Sequence, residues 1–123
     1  MMERELTIII PFRNEGIEVY NTVKSIKETS DLDFDIILIN DGSDDGFDYK
    51  SISKMFQTEY IEHLTGIGVA ASRNEGVLHC KTEYFLLLDA HMRAYTANWT
   101  SLIIQELRKD KKSHFLLPNY FYR

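Results

Sequence analysis

The sequence predicts a single α/β domain with a mostly parallel sheet and helices on both faces of the sheet. Two patterns support this prediction. Several nearly continuous apolar runs are typical of strands that are covered on both sides. Segments with helical periodicity separate these runs, and such alternation of strands and helices indicates a parallel sheet. The length of 123 residues fits one domain.

Three nearly continuous apolar runs predict strands that are covered on both faces, and two weaker stretches predict further strands. The three runs are residues 6–10 (LTIII), 35–39 (DIILI) and 84–88 (YFLLL). Residues 59–64 (EYIEHL) alternate between polar and apolar side chains, which predicts an edge strand. Residues 113–118 (SHFLLP) predict a fifth strand.

Four helices are predicted from apolar or small side chains that recur at helical spacing. The four stripes are Ile17, Tyr20, Val23 and Ile26; Phe47, Ile52, Met55 and Phe56; Val69, Ser72, Gly76 and His79; and Trp99, Leu102, Ile103 and Leu107. The last stripe is the clearest amphipathic pattern, and Asn98 suits the N-cap position of that helix.

Composition argues against several classes of protein. The net charge of −5 disfavours nucleic acid as the main partner, because phosphate binding needs basic patches. The single cysteine, Cys80, permits no internal disulfide and fits a reducing compartment. The sequence has no run of about 18 apolar residues that could span a membrane, and its first residues do not resemble a signal peptide. We therefore expect a cytoplasmic protein, with peripheral attachment at the inner membrane surface as an alternative.

Polar segments follow three of the predicted strands. These segments are PFRNEG after the first strand, NDGSDDG after the second and DAH after the fourth. In parallel sheets, ligands bind at the carboxyl ends of the strands. Glu15, Asp41, Asp89 and His91 are therefore expected to converge on one rim of the sheet.

The DAH segment predicts a metal site. On an extended backbone, residues i and i+2 point the same way, so Asp89 and His91 share one side while Ala90 points away. A carboxylate oxygen and an imidazole nitrogen suit a divalent ion such as Mn²⁺, which can bridge to a diphosphate. The simpler alternative is a polar turn at the end of a strand, with no ligand.

Three other patterns compete with this interpretation. DGSDDG matches the start of an EF-hand loop, but Ile52 stands where the bidentate Glu is required, so an EF-hand is rejected. GIGVAA, at residues 66–71, matches a dinucleotide-binding fingerprint, and Asp89 follows at about the expected 20 residues. Its weakness is that it follows a polar, alternating strand. A receiver-type signalling domain would use Asp41 as phospho-acceptor, but the acidic pair expected after the first strand is missing.

Four segments, in order, resemble a known family. TIIIPFRNE, ILINDGSDD, GVAASRNEGV and YFLLLDAHM together resemble the nucleotide-sugar-binding half of the family 2 glycosyltransferases, which have the Rossmann-like GT-A fold. The segment LLLDAHMRAYTANWTSLIIQEL further resembles the polypeptide N-acetylgalactosaminyltransferases, in which the usual D-x-D motif becomes D-x-H. The resemblance covers nearly the whole chain.

The resemblance implies a nucleotide site for a UDP-sugar. Pro11 and Phe12 would line the base pocket, and Glu15 would lie near the base and the ribose. Asp41 would hydrogen-bond the uracil ring, and Arg73 would lie close to the nucleotide. From the residues alone, Glu15 could be a charge that stabilises a helix start and Arg73 a surface residue; these alternatives stay open.

The resemblance also implies that Asp89 and His91 hold Mn²⁺ or Mg²⁺ together with the diphosphate. Family members usually have a second half, which supplies the acceptor site and, in inverting members, the catalytic base. The chain is therefore expected to be a donor-binding half truncated at its C-terminus, with the catalytic base outside it and an acceptor that could be a glycan, a lipid or a protein.

Other expectations are less specific. A half sheet would leave an exposed edge, which predicts a homodimer through the C-terminal edge, involving Tyr120, Phe121 and Tyr122. The alternatives in function are a dinucleotide-binding domain of an oxidoreductase and a non-catalytic nucleotide-binding module with the same fold. No role is assigned to the remaining histidines, which are His63, His79 and His114.

Overall fold

The structure, a computed structural model, describes residues 4–109 and 121–122. Its centre is a four-stranded sheet, whose strands are β1 (Leu6–Phe12), β2 (Asp35–Asp41), β3 (Glu59–His63) and β4 (Tyr84–Leu87). The strands lie in the order β3-β2-β1-β4, and every pair of neighbours is parallel. The strand predicted at residues 59–64 is indeed an edge strand.

Four helices follow the strands, and they cover both faces of the sheet as predicted. They are α1 (Ile17–Thr29), α2 (Tyr49–Phe56), α3 (Val69–His79) and α4 (Trp99–Lys109). A short antiparallel pair, β5 (Arg93–Ala94) and β6 (Phe121–Tyr122), forms a second sheet. The fifth strand predicted at residues 113–118 lies outside the described residues. Of the described helices, none has both the length and the apolar character that crossing a bilayer requires.

Alternation along the inner strands divides the core into two layers. In β1, Ile8 and Ile10 pack on the side that also holds residues of α1, α2 and α4, whereas Ile9 packs on the side of α3. All three side chains are completely buried, and burial of each stabilises the fold by about 1.5–3 kcal/mol. This two-sided burial explains why β1 and β2 are continuous apolar runs. The run at residues 84–88 is different from the prediction: β4 is the outermost strand on its side of the described sheet, and Phe85 and Leu87 on it are 44% and 37% exposed.

β1 and β2 extend farther than their apolar runs. β1 continues through Pro11 to Phe12, although proline has no N–H for a ladder bond. β4 pairs with β1 only as far as Ile9, so no bond to β4 is lost at Pro11. β2 continues to Asp41, which pairs with His63 at the end of β3. These extensions bring polar residues onto the rim of the sheet.

Two details of the helices differ from the predicted stripes. Ile17 is the first residue of α1 and is 53% exposed, while Val19 and Thr22 are buried in its place. Asn98 directly precedes α4, and its carbonyl accepts a hydrogen bond from the Leu102 amide at 3.2 Å. Its φ is 65°, in the left-handed region rather than the extended conformation usual for an N-cap.

The strand order defines where a ligand would bind. The chain places β2 and β3 successively on one side of β1 and then crosses to place β4 on the other side. A crevice forms at the carboxyl ends of the strands at such a crossover, between β1 and β4. The order also excludes a receiver-type domain, which places its first strand between the second and the third.

Candidate functional site

A cleft of about 270 Å³ opens at the carboxyl ends of the strands, where the strand order crosses over. Six of the seven residues predicted for the site line this cleft, and the seventh, Arg73, contacts one of them. The six are Pro11, Phe12, Glu15, Asp41, Asp89 and His91. Three segments that are distant in the sequence therefore meet in one place.

The DAH segment forms a turn and not the extended conformation that was predicted. The Met92 amide donates to the Asp89 carbonyl at 3.2 Å. Ala90 is 2% exposed, and the Thr22 hydroxyl of α1 donates to the Ala90 carbonyl. Ala90 is therefore buried, and it lines the cleft together with Asp89 and His91.

Asp89 and His91 form a pair of potential metal ligands. His91 Nε2 lies 4.0 Å from Asp89 Oδ2, and this buried nitrogen has no hydrogen-bond partner. Because each ligand bond to a divalent ion is about 2.0–2.2 Å long, one ion can bridge atoms at this separation. In the described part of the chain, no group of three or more His, Cys, Asp or Glu side chains could hold a metal. Further ligands would have to be phosphate oxygens or water.

Two charged residues flank this pair. Arg73, on α3, donates from Nη2 to Asp89 Oδ1 at 3.4 Å, and its buried Nε has no partner. Glu15, from the loop after β1, places Oε1 at 3.9 Å from His91 Nδ1. Arg73 thus has an unused donor close to the cleft, which could bind an anionic ligand.

Asp41 has a carboxylate that three donors already bind. The amides of Ile67 and Gly68 donate to it at 2.8 and 2.9 Å, and His63 Nδ1 lies 2.8 Å from Oδ1. Burial alone would raise the pKa of Asp41, but hydrogen bonds from Ile67, His63 and Gly68 lower that pKa below its ordinary value. A carboxylate accepts about four hydrogen bonds, so Oδ2, which accepts from Gly68, has room for one more donor.

These contacts argue against the dinucleotide alternative. The GIGVAA segment follows β3, the outer strand, whereas the crevice lies between β1 and β4. In a dinucleotide-binding fold, backbone amides at the start of the helix hold the pyrophosphate. Here the amides of Ile67 and Gly68 are bonded to Asp41. The segment therefore leads from β3 into α3, and its amides hold it to Asp41 at the end of β2.

Most of the acidic loop after β2 has a structural role. Asp45 accepts a hydrogen bond from the Tyr49 hydroxyl at 2.5 Å. Asp48 caps α2 by accepting a hydrogen bond from the Ser51 amide at 3.2 Å. Such acids are ordinary turn and cap residues. Asp41, by contrast, lines the cleft.

His63 and Glu75 are two residues near the cleft that the sequence does not single out. His63 ends β3, and its Nε2 lies 2.7 Å from Glu75 Oε2 of α3, so this ring joins Asp41 to Glu75. The signal that could have identified it is its position at the carboxyl end of a strand, on the same rim as Asp41. Val69 and Ser72 of α3, which also line the cleft, are part of the predicted stripe of the third helix.

Comparison with known proteins identifies relatives of this chain. The family model described as Glycosyl transferase family 2 matches residues 7–123. The chain is 27% identical over 110 residues to the uncharacterized glycosyltransferase YibD of Escherichia coli K12, covering 86% of this chain and 31% of that protein. It is 32% identical over 92 residues to the teichoic acid poly(glycerol phosphate) polymerase of Staphylococcus epidermidis, covering 70% of this chain and 12% of that protein.

Solved structures share the fold. The mannosyltransferase PcManGT from Pyrobaculum calidifontis, in complex with GDP-Man and Mn²⁺, matches with a TM-score of 0.75 at 18% identity, over 87% of this chain and 33% of that one. TarS from Staphylococcus aureus, in complex with UDP, matches with a TM-score of 0.71 at 17% identity, over 85% of this chain and 33% of that one. At these identities the likeness establishes the fold, which is the Rossmann-like GT-A fold that the sequence motifs imply.

The chain spans about a third or less of the length of the curated relatives that it matches. Within the chain, the family match extends from residue 7 to residue 123. The parallel sheet and its helices agree with the fold of the matching solved structures. The chain belongs to glycosyl transferase family 2.

Proposed function

We propose that residues 1–123 form the donor-binding domain of a glycosyltransferase, which binds a UDP-sugar together with Mn²⁺ or Mg²⁺ for transfer of the sugar to an acceptor. The acceptor would be a glycan, a lipid or a protein. The catalytic base is expected to come from outside this domain, because the chain matches only part of each relative.

The observation that carries this proposal is the convergence of three separate segments on one cleft. Glu15 follows β1, Asp41 ends β2 and Asp89 follows β4, and all three line the same space. Clustered carboxylates repel one another and an anionic nucleotide. A cation held by Asp89 and His91 would offset that repulsion.

The nucleotide base would lie against β1 and β2. Pro11 and Phe12 line the cleft and supply an apolar wall, which is held by the packing of Phe12 against Tyr49 with ring centroids 4.7 Å apart. The remaining acceptor site of Asp41 Oδ2 would take the N–H of uracil. The UDP in the TarS structure supports a uridine nucleotide, although the neighbouring PcManGT structure contains GDP-Man, so both nucleotides belong in the test.

The diphosphate would lie beside Asp89 and His91, with the D-x-H segment in the place of D-x-D. Lewis-acid stabilisation of the leaving diphosphate is the chemistry that a divalent ion would supply there. Arg73 would orient Asp89 through their hydrogen bond at 3.4 Å and place its charge near the phosphates. The Mn²⁺ in the PcManGT structure supports the choice of metal.

The test is titration calorimetry of UDP in Mn²⁺ and in chelator, on wild-type protein and on His91→Ala. Wild type should bind UDP more tightly in Mn²⁺ by roughly ten- to hundredfold, the range seen when a metal site is impaired. His91→Ala should bind in Mn²⁺ no better than wild type does in chelator. Metal affinity without nucleotide should be weak, because the chain offers only two ligands.

His79→Ala is the matched control, since His79 is an exposed histidine on α3 that does not line the cleft. It should keep the dependence on Mn²⁺. Equal UDP affinity in Mn²⁺ and in chelator would remove the metal site. If GDP bound more tightly than UDP, the proposed donor would be a GDP-sugar. If NAD bound more tightly, the oxidoreductase alternative would be favoured. UDP binding without sugar transfer by the full-length protein would favour a non-catalytic module.

Association and location are proposals of the same kind. β4 is the outermost strand on its side of the described sheet, and Phe85 and Leu87 on it are 44% and 37% exposed. We propose that a second copy covers this edge together with the C-terminal residues Tyr120, Phe121 and Tyr122, which the sequence predicts to take part in the contact. A monodisperse monomer at high concentration in light scattering would contradict the dimer.

A cytoplasmic location, with the inner membrane surface as the alternative, can be checked by cell fractionation.

A further inference from the structure

His63 is clamped between two acidic side chains. Its Nδ1 lies 2.8 Å from Asp41 Oδ1 and its Nε2 lies 2.7 Å from Glu75 Oε2. The His63 side chain is 13% exposed. The ring therefore joins the end of β2 to the middle of α3, and it lies at the side of the cleft that those elements form.

The geometry requires both ring nitrogens to carry a proton. A neutral imidazole has one N–H donor and one acceptor nitrogen, whereas ionised carboxylates only accept. Asp41 stays ionised because two backbone amides donate to it. Glu75 has 29% of its side chain exposed, so water solvates its charged form. A neutral ring would leave one nitrogen lone pair facing a carboxylate oxygen.

The surrounding charges agree with this geometry. Asp41 from β2 and Glu75 from α3 are the charged groups that face His63 among the described residues. The connecting loop, residues 64–68, has no charged residue, and Glu62 is bonded instead to Tyr60. The hydrogen bond to Asp41 raises the pKa of His63 above its ordinary value, burial opposes the increase, and Glu75 adds to it.

The clamp is linked to one wall of the cleft. Asp41 also binds the amides of Ile67 and Gly68, which lead directly into α3. The same helix carries Ser72, which lines the cleft, and Arg73, which contacts Asp89. If the ring lost a proton, the charge-assisted bond to one carboxylate would be lost, and the hold on this wall would weaken.

We propose that His63 is a positioning residue for nucleotide binding: its doubly protonated ring fixes Asp41 and α3, and the cleft loses affinity when the ring loses a proton. This inference rests on the proposed binding of a nucleotide in the cleft. The sign of the effect follows from linkage. The clamp is fully formed below the unfolded-state pKa of about 6.5, and its contribution is lost as pH rises through the folded-state pKa.

The experiment compares wild type, His63→Gln and Glu75→Gln. UDP affinity is measured by calorimetry at constant Mn²⁺ from about pH 6.5 to about pH 8.5, while NMR follows the His63 ring, identified by its absence in His63→Gln. Wild-type affinity should fall roughly three- to tenfold as His63 deprotonates, the difference between a charge-assisted and a neutral hydrogen bond. His63→Gln should bind weakly, and its affinity should change with pH less than that of wild type.

Glu75→Gln separates positioning from simple packing. Its amide can donate to Nε2 of a neutral ring, which still donates from Nδ1 to Asp41, so the clamp survives deprotonation. This variant should lose most of the decline at high pH. Because UDP and Mn²⁺ titrate identically in all three samples, a difference in slope belongs to the clamp. His79→Gln, outside the clamp, should follow the wild-type profile.

The inference and the proposed function can fail separately. A His63 ring that titrates at or below about pH 6.5 would overturn the inference, and so would a wild-type profile parallel to that of His63→Gln. If UDP bound to no sample at any pH, the proposed function would fail. The clamp would then be judged without nucleotide: the wild-type unfolding midpoint should fall with pH more steeply than that of Glu75→Gln, and equal slopes would overturn it.

Discussion

His63 and His91 both lie at the carboxyl rim of the sheet, and each has two acidic neighbours. The neighbours of His63 are at 2.8 and 2.7 Å, within hydrogen-bond distance of both ring nitrogens. Those of His91 are at 3.9 and 4.0 Å, beyond that distance. One histidine is therefore used within the protein, and the other retains an unpartnered nitrogen.

The difference shows that the chemistry of a histidine depends on about one ångström of separation from its acids. At His63 the hydrogen-bonding capacity is used, so the ring stabilises structure. At His91 a buried nitrogen is left without a partner, which costs free energy unless a ligand binds it. A substitution in the His63 region should therefore mainly lower the stability of the fold, whereas a substitution of His91 should mainly lower ligand binding.

The largest effect is expected from Asp41→Asn, in the His63 region. The amide NH₂ of the new side chain would replace one carboxylate oxygen, so it would face an N–H group of Ile67, Gly68 or His63 that then has no acceptor. Each buried donor left unsatisfied costs about 1–3 kcal/mol. We expect the free energy of unfolding to fall by roughly 2–4 kcal/mol and UDP affinity to fall as well. Denaturant unfolding and calorimetry measure the two effects.

Asp44→Asn is the control from the same loop. The Asp44 side chain is 74% exposed, and its ion pair with Arg13 is 3.8 Å long, so its loss should change stability by less than about 1 kcal/mol. If Asp41→Asn were no more harmful than this control and bound UDP normally, Asp41 would have no role in either the clamp or the base pocket.

A smaller effect is expected from Gly76→Ala, which disturbs the His63 region indirectly. A Cβ at this position would lie 2.4 Å from Ile9 Cγ2 and 3.0 Å from Ile39 Cδ1, so α3 would have to move off the sheet and carry Glu75 with it. Overpacking costs about 1–3 kcal/mol, and alanine recovers up to about 1 kcal/mol of helix propensity. The net loss of stability should be about 1–2 kcal/mol.

In Gly76→Ala the pKa of His63, measured by NMR, should also move toward that of a free histidine. The requirement of UDP binding for Mn²⁺ should persist. Leu78→Ala is the control on the same helix, because Leu78 is 84% exposed and should change stability by less than about 0.5 kcal/mol. Stability of Gly76→Ala equal to that of wild type would show that α3 is not held by this close contact.

The smallest effect is expected from His91→Ala on stability. Its acidic neighbours are too distant to form strong bonds, its side chain is 33% exposed, and its removal eliminates an unpartnered polar atom. The free energy of unfolding in chelator should change by less than about 0.5 kcal/mol, even though metal-supported UDP binding is lost. A large destabilisation in chelator would mean that His91, like His63, has a structural role.

Much of the fold could be predicted from the sequence because strands of a parallel sheet leave a local pattern of apolar residues. The apolar runs identified β1, β2 and β4, and the alternation in residues 59–64 identified β3 as an edge strand. The ends of these elements could not be predicted as well. Pro11 belongs to β1 because its neighbour β4 is already ending, and that depends on pairing between distant segments.

For the site, the sequence by itself determined which residues follow each strand, and so it identified Glu15, Asp41, Asp89 and His91. It could not determine distances. Sequence order gives no indication that His63 lies between Asp41 and Glu75, which are 22 residues before it and 12 after it, or that His91 has no such partners. Only the tertiary structure decided this, because the crossover of the strands and the close packing of Gly76 on the sheet place α3 against the end of β3. Hydrogen bonds act over a few tenths of an ångström, and packing sets separations on that scale.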